Sequence, residues 1–171
     1  MFWTIVLICI ILFAIIVAKG SKKQKENQVK LKDLGYDIES KIQTGKYVGG
    51  HPDINESIPK TFIFPKDNKL EIMVEVPMAL PVKKAYIDNT SIKNVLVEDQ
   101  SSVEKRVTVG RLLLTGIFAF AWKKKKKNEL AYLTIEWNDG RFDNETIFEF
   151  EGAGAMQNAN TARNKVMKAV K

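Results

Sequence analysis

The chain has 171 residues, 45% of them hydrophobic, with 27 Lys and Arg against 20 Asp and Glu and a net charge of +7. A single cysteine, Cys9, leaves no partner for a disulfide, and no G-x-S-x-G, H-E-x-x-H or phosphate-loop spacing supplies a catalytic motif. The lysines cluster beside apolar runs and lack interleaved stacking aromatics, which favours anionic headgroups over nucleic acid as the basic partner.

The first predicted element is MFWTIVLICIILFAIIVA, Met1 to Ala18, which contains no charged side chain. At about 1.5 Å per residue it reaches roughly 27 Å, close to the ~30 Å hydrocarbon thickness of a bilayer. Phe2 and Trp3 suit one interface; Lys19, Lys22 and Lys23 suit the other. A cleaved secretory signal fits worse, because no basic region precedes the apolar run and Ala18-Lys19-Gly20 is a poor cleavage site. The lysines that follow the segment place the amino terminus outside and the remainder in the cytoplasm, so the expected location is the cell membrane with a single span.

Residues 19–60 read as a basic, partly helical stalk and a Gly/Pro loop. SKKQKENQVKLKDLG has helix-forming composition and stops at Gly35. Asp37 is placed to cap a second short helix, IESKIQTG, ending at Gly45. GKYVGGHPDINESIPK then reads as a loop. His51, the sole histidine, has no ligand-spaced partners and is expected in a turn or packing role; no metal or cofactor is expected.

From Thr61 the pattern becomes short β segments. Thr61 to Phe64 and Lys69 to Val76 flank the turn residues Pro65 to Asn68, and further strands are predicted at 83–88, 92–98, 103–109, 130–137 and 145–151. Asn138-Asp139-Gly140 marks a second hairpin turn. About seven antiparallel strands at this spacing predict a small barrel or sandwich. From Ala155 the chain turns helical, with Met156, Ala159, Arg163, Val166, Met167 and Val170 forming a stripe that must be buried against the sheet.

Seven strands followed by an amphipathic carboxy-terminal helix is the order of the pleckstrin-homology-like superfold. Residues 61–171 resemble the bacterial PH-like or GRAM-like domains, most closely in IDNTSIKNVLVED, RLLLTGIFAFAWKKKKKNELAYLTIEW and the final helix. The resemblance implies a mainly β domain with a tendency toward membranes or protein partners, and it carries over no ligand. The organisation expected is thus an N-terminal transmembrane helix (1–18), a stalk (19–60) and a PH-like domain (61–171).

Leu112 to Trp122, LLLTGIFAFAW, followed by Lys123 to Lys127, is the most informative stretch within the domain. It is too short to span as a helix and too apolar for a solvated loop. Either it continues the preceding strand, turns near Gly116 and packs into the core while the lysines form a solvated hairpin tip, or Ile117, Phe118, Phe120 and Trp122 enter the inner leaflet while Lys123, Lys124, Lys125, Lys126 and Lys127 lie at its charged surface. At roughly 1 kcal/mol per lysine the second arrangement gains at most about 5 kcal/mol at low salt. Glu149 and Glu151 share a strand face and read as sheet surface, and GAGA at 152–155 lacks the spacing of a phosphate cradle. The expected function is therefore non-enzymatic: a membrane-anchored adaptor offering its domain to a protein partner, or alternatively a module that binds anionic lipid through 112–127.

Overall fold

A computed structural model describes residues 2–76, 79–103 and 129–171, with the side chains of 2, 4, 5 and 7–17 outside the description. The chain opens with one continuous helix, α1 (Phe2–Asp33), so the apolar run and the basic stretch after it share a single axis about 48 Å long. Among the described residues no helix is long and apolar enough to cross a membrane. Most side chains of the 1–18 run lie outside those residues.

Helix α1 ends as Gly35 predicts. Gly35 adopts φ 82°, its N–H donates to the Lys32 carbonyl at 2.8 Å, and the Tyr36 N–H reaches back to the Leu31 carbonyl at 2.9 Å. This is the paired bonding of a Schellman motif, and the accompanying contact joins Leu31 and Tyr36 in one apolar cluster. Asp37 does act as a cap, accepting from the Glu39 N–H at 3.0 Å, but it opens only one 3-10 turn, Ile38–Ser40.

Seven strands follow: β1 (Ile42–Gly49), β2 (Ile58–Lys66), β3 (Lys69–Val74), β4 (Val82–Asp88), β5 (Ile92–Asp99), β6 (Leu130–Asn138) and β7 (Asp143–Glu151). They form one antiparallel sheet in the order β4-β3-β2-β1-β7-β6-β5. Two meanders, β1 to β4 and β5 to β7, are thus joined along the β1–β7 ladder. Every strand contributes to one inner core, from Ile42 and Tyr47 through Ile63, Ile72, Ile87 and Val95 to Leu133 and Phe148. The final helix, α2 (Ala155–Ala169), closes this core and contacts β5 and β6 most heavily.

The sheet begins at Ile42, where sequence reading expected a helix and then a loop. Gly45 and Gly50 are the reason. Gly45 stands at φ 75° and Gly50 at φ 93°, and a Cβ on either would collide with the β7 backbone, at the Glu149 and Glu145 carbonyls. Glycines that look like loop punctuation here permit close backbone approach at irregular points of a strand ladder. The expected turn at 65–68 tightens to Asp67 and Asn68, with φ of 49° and 60°, the two-residue geometry that suits a hairpin.

Two further differences concern packing. The buried stripe of α2 is Ala155, Ala159, Ala162 and Val166, whereas Met156 is exposed. Small residues let the helix lie close to the sheet, and the expected Met167 and Val170 pack partly buried against the same core. The strand expected at 103–109 is described only at Val103, which belongs to a helical turn at 100–103; the rest of it lies outside the described residues.

Candidate functional site

Strand β2 carries Thr61-Phe62-Ile63-Phe64 without a polar break, so both of its faces are apolar. Ile63 points into the core, while Phe62 and Phe64 point outward and are nevertheless buried. Their cover is the carboxy-terminal end of α1. Leu31, Tyr36, Ile38 and Leu80 pack over Phe62, Phe64 and Met73, with Tyr36 5.1 Å from Phe64 and Phe62 edge-on to Phe64 at 5.5 Å between ring centroids.

Polar contacts fix the helix at both ends of this docking site. Lys66 Nζ donates to the Leu34 carbonyl at 2.6 Å, satisfying an orphan acceptor at the negative end of the helix. Asn27 Nδ2 donates to the Ala79 carbonyl at 2.9 Å, tying the middle of the polar segment to the β3–β4 connection. Tyr36 donates to Glu71 Oε2 at 2.6 Å, and Lys83 lies 3.2 Å from Glu71 Oε1. Burial, then the hydrogen bond to Glu71, pushes the Tyr36 hydroxyl up to about 12.

Between α1 and the sheet runs a groove of about 600 Å³. Gln24, Asn27 and Gln28 form its helical wall and Val76 and Pro81 part of its far side, with the buried rings of Phe62 and Phe64 behind them. Its rim is an ion cluster in which Glu75 takes Lys41 at 2.7 Å and Lys60 at 3.0 Å. The hydrogen bonds from Lys41 and then Lys60 hold the Glu75 carboxyl below its ordinary range. Lys41 also sits 3.9 Å above the Phe62 ring. Amide and charged edges of this kind suit a peptide segment that hydrogen-bonds along the wall.

His51 is a packing residue at the seam between the two meanders. Its ring stacks on Trp137 of β6 at 5.0 Å, Nε2–H donates to the Tyr86 carbonyl of β4 at 3.1 Å, and Nδ1 accepts from the Asp53 N–H at 3.2 Å. Burial lowers its proton affinity below the ordinary histidine range. Among the described residues no group of three or more His, Cys, Asp or Glu side chains is placed to hold a metal ion.

Ile117, Phe118, Phe120, Trp122 and Lys123 to Lys127 lie outside the described residues. Glu149 and Glu151 do lie on the outer surface of β7, where Glu149 accepts from the Tyr132 hydroxyl at 3.0 Å. The groove is not evident in the sequence because it depends on Leu31 meeting Phe62 and Phe64, more than thirty positions away. Its one legible signal is the unbroken apolar run of β2, which requires cover on both sides. No family model matches the chain, and no curated protein matches it.

Proposed function

We propose that the protein is a non-enzymatic, membrane-anchored adaptor that holds a PH-like domain at the inner leaflet and receives a protein partner in the α1–sheet groove. The observation that carries this reading is the docking of a continuous α1 on the outer face of β2 and β3. A bilayer that holds residues 1–18 then holds the domain at a set height, since Ala18 and Leu31 are about 20 Å apart along one helix. The amino-terminal part of the groove, at Gly20 and Gln24, lies just past the apolar run. The PH-like assignment is supported by the two meanders joined through β1 and β7 and closed by α2.

The test is photocrosslinking from within the groove in native membranes, with a reactive residue at Gln28 or Val76 and a control at Lys84, which does not line it. A discrete protein adduct from the groove positions and not from the control is the expected result. Lipid adducts alone, or equal labelling from all three positions, would reject the adaptor reading and favour the lipid-binding alternative. A reporter fused after Lys171 checks the topology independently, and activity confined to the outside of the cell overturns it.

A further inference from the structure

The polar half of α1 sorts its side chains by charge around the groove. Residues 19–33 carry eight charged side chains, six Lys with Glu26 and Asp33, and none of them lines it. The helix gives the groove Gly20, Gln24, Asn27, Gln28 and Leu31 instead. Gln24 and Gln28 are exposed, so burial against the sheet does not require their neutrality. Among the described residues neither is hydrogen-bonded through its side chain. A charge on this wall would lose its hydration whenever an occupant covered it, whereas an amide can exchange water for a partner.

A side-chain amide carries both donors and an acceptor, and so matches the N–H and C=O groups that a peptide main chain presents together. Asn27 already makes such a contact, donating from Nδ2 to the main-chain carbonyl of Ala79 at 2.9 Å. The dimensions select the form of the main chain. From Gly20 to Leu31 the wall is about 16 Å long, so a groove of about 600 Å³ averages about 7 Å across. A helix, about 10–12 Å wide with its side chains, exceeds that width, whereas an extended chain rising about 3.3 Å per residue fills the length with about five residues. The charged residues of the lining are Lys41, Lys60 and Glu75, two cations against one anion, and the Lys60 side chain is 64% exposed. The surplus charge is positive and suits a carboxylate.

We infer that the groove takes an extended, acidic segment of about five residues from the partner, its main chain hydrogen-bonded to Gln24 and Gln28 and its carboxylate at Lys60. The inference rests on the adaptor reading and adds to it the conformation and charge of what is bound. An acyl chain in the same place would leave the amide wall without partners, which makes lipid the disfavoured occupant.

The full chain in phosphatidylcholine nanodiscs, panned against a soluble library of linear heptapeptides with one position fixed at a time, tests this directly. The expected result is selection of peptides with Asp or Glu at one position. Gln24→Ala with Gln28→Ala should weaken their binding about tenfold, in line with the loss of two neutral hydrogen bonds. Methylating the main-chain nitrogens of a selected peptide should weaken its binding to the unaltered chain about as much. Lys60→Gln should abolish the preference for an acid and leave the sensitivity to N-methylation. Selection of no peptide overturns the proposal, as does binding that is indifferent to the Gln pair or to N-methylation. A discrete protein adduct from Gln28 or Val76 in native membranes beside either of those results leaves the adaptor reading standing and removes only the extended acidic segment. Peptide selection without an adduct does the reverse. Should the Gln variants fail to fold, the N-methylated peptides decide on the unaltered chain.

Discussion

On the outer face of β2 and β3, Phe62, Phe64 and Met73 are covered by the end of a helix that is already part of the chain's axis, and the bordering charges, Glu75 with Lys41 and Lys60, are paired within the same region. On the outer face of β6 and β7, Tyr132 and Ile147 lie between carboxylate rows, with Glu136 set opposite Glu145. The first face pairs its bordering charges within one region, whereas on the second two glutamates stand directly opposite each other across the ladder. A sheet whose two halves share one core thus presents two outer surfaces of different make-up, one covered at the end of the helix and one whose apolar residues lie between carboxylate-bearing rows.

The largest effect expected from disturbing the first face is that of Phe64→Ala. Removing this ring from beneath Leu31 and Tyr36 should cost about 3–5 kcal/mol in urea unfolding. A loss under about 1 kcal/mol would mean that the α1 end contributes nothing to the stability of this face. Next is the ladder that joins the halves. Gly50→Ala introduces a Cβ against the Glu145 carbonyl at a positive φ, and should cost about 1–3 kcal/mol by the same measurement. Retained stability would show that the β1–β7 pairing yields without cost.

His51 reports on the opposite seam, between β4 and β6. Its imidazole is buried, with an Asp53 carboxylate oxygen 4.0 Å away, and its proton affinity is lowered by burial. The unfolded chain therefore takes up a proton as the pH falls below about 6.5 while the folded chain resists it. Stability is intact above that value and declines below it by at most about 1.4 kcal/mol per pH unit, until the folded pKa is reached. Urea midpoints measured near neutrality and near pH 5 should diverge for the native chain and converge for His51→Gln. The smallest effect belongs to the groove rim. Glu75 is 44% exposed, so Glu75→Gln should change stability by less than about 1 kcal/mol, and the change should shrink with added salt. A larger, salt-insensitive loss would place this cluster among the buried supports of the fold.

Much of the β architecture was legible because alternation and turn chemistry agree in β3 to β7 and at Asp67-Asn68. The helix end at Gly35 was legible for the same kind of reason, since a glycine after a polar helical stretch suits the left-handed terminus found there. Strand β1 was not, because its glycines serve a neighbouring backbone that the local sequence does not contain. The expected number of strands agrees with the described number only through an exchange: β1 was absent from the expectation, and 103–109, expected as a strand, begins with a helical residue and otherwise lies outside the described residues. The groove depends on a contact between residues more than thirty positions apart, Leu31 with Phe62 and Phe64, and only the two-sided apolarity of β2 hinted at it.

The Schellman end of α1 has one more consequence. Because the helix is continuous and its last turn is pinned by Lys66 and by Leu31, the angular phase of residues 2–18 is geared to the domain. A residue inserted between Gly20 and Gln24 would rotate the apolar segment by about 100° relative to the groove, whereas seven would return it to within about 20°. Function that varies periodically with such insertions would identify α1 as a drive shaft, and function indifferent to them would identify it as a mooring line.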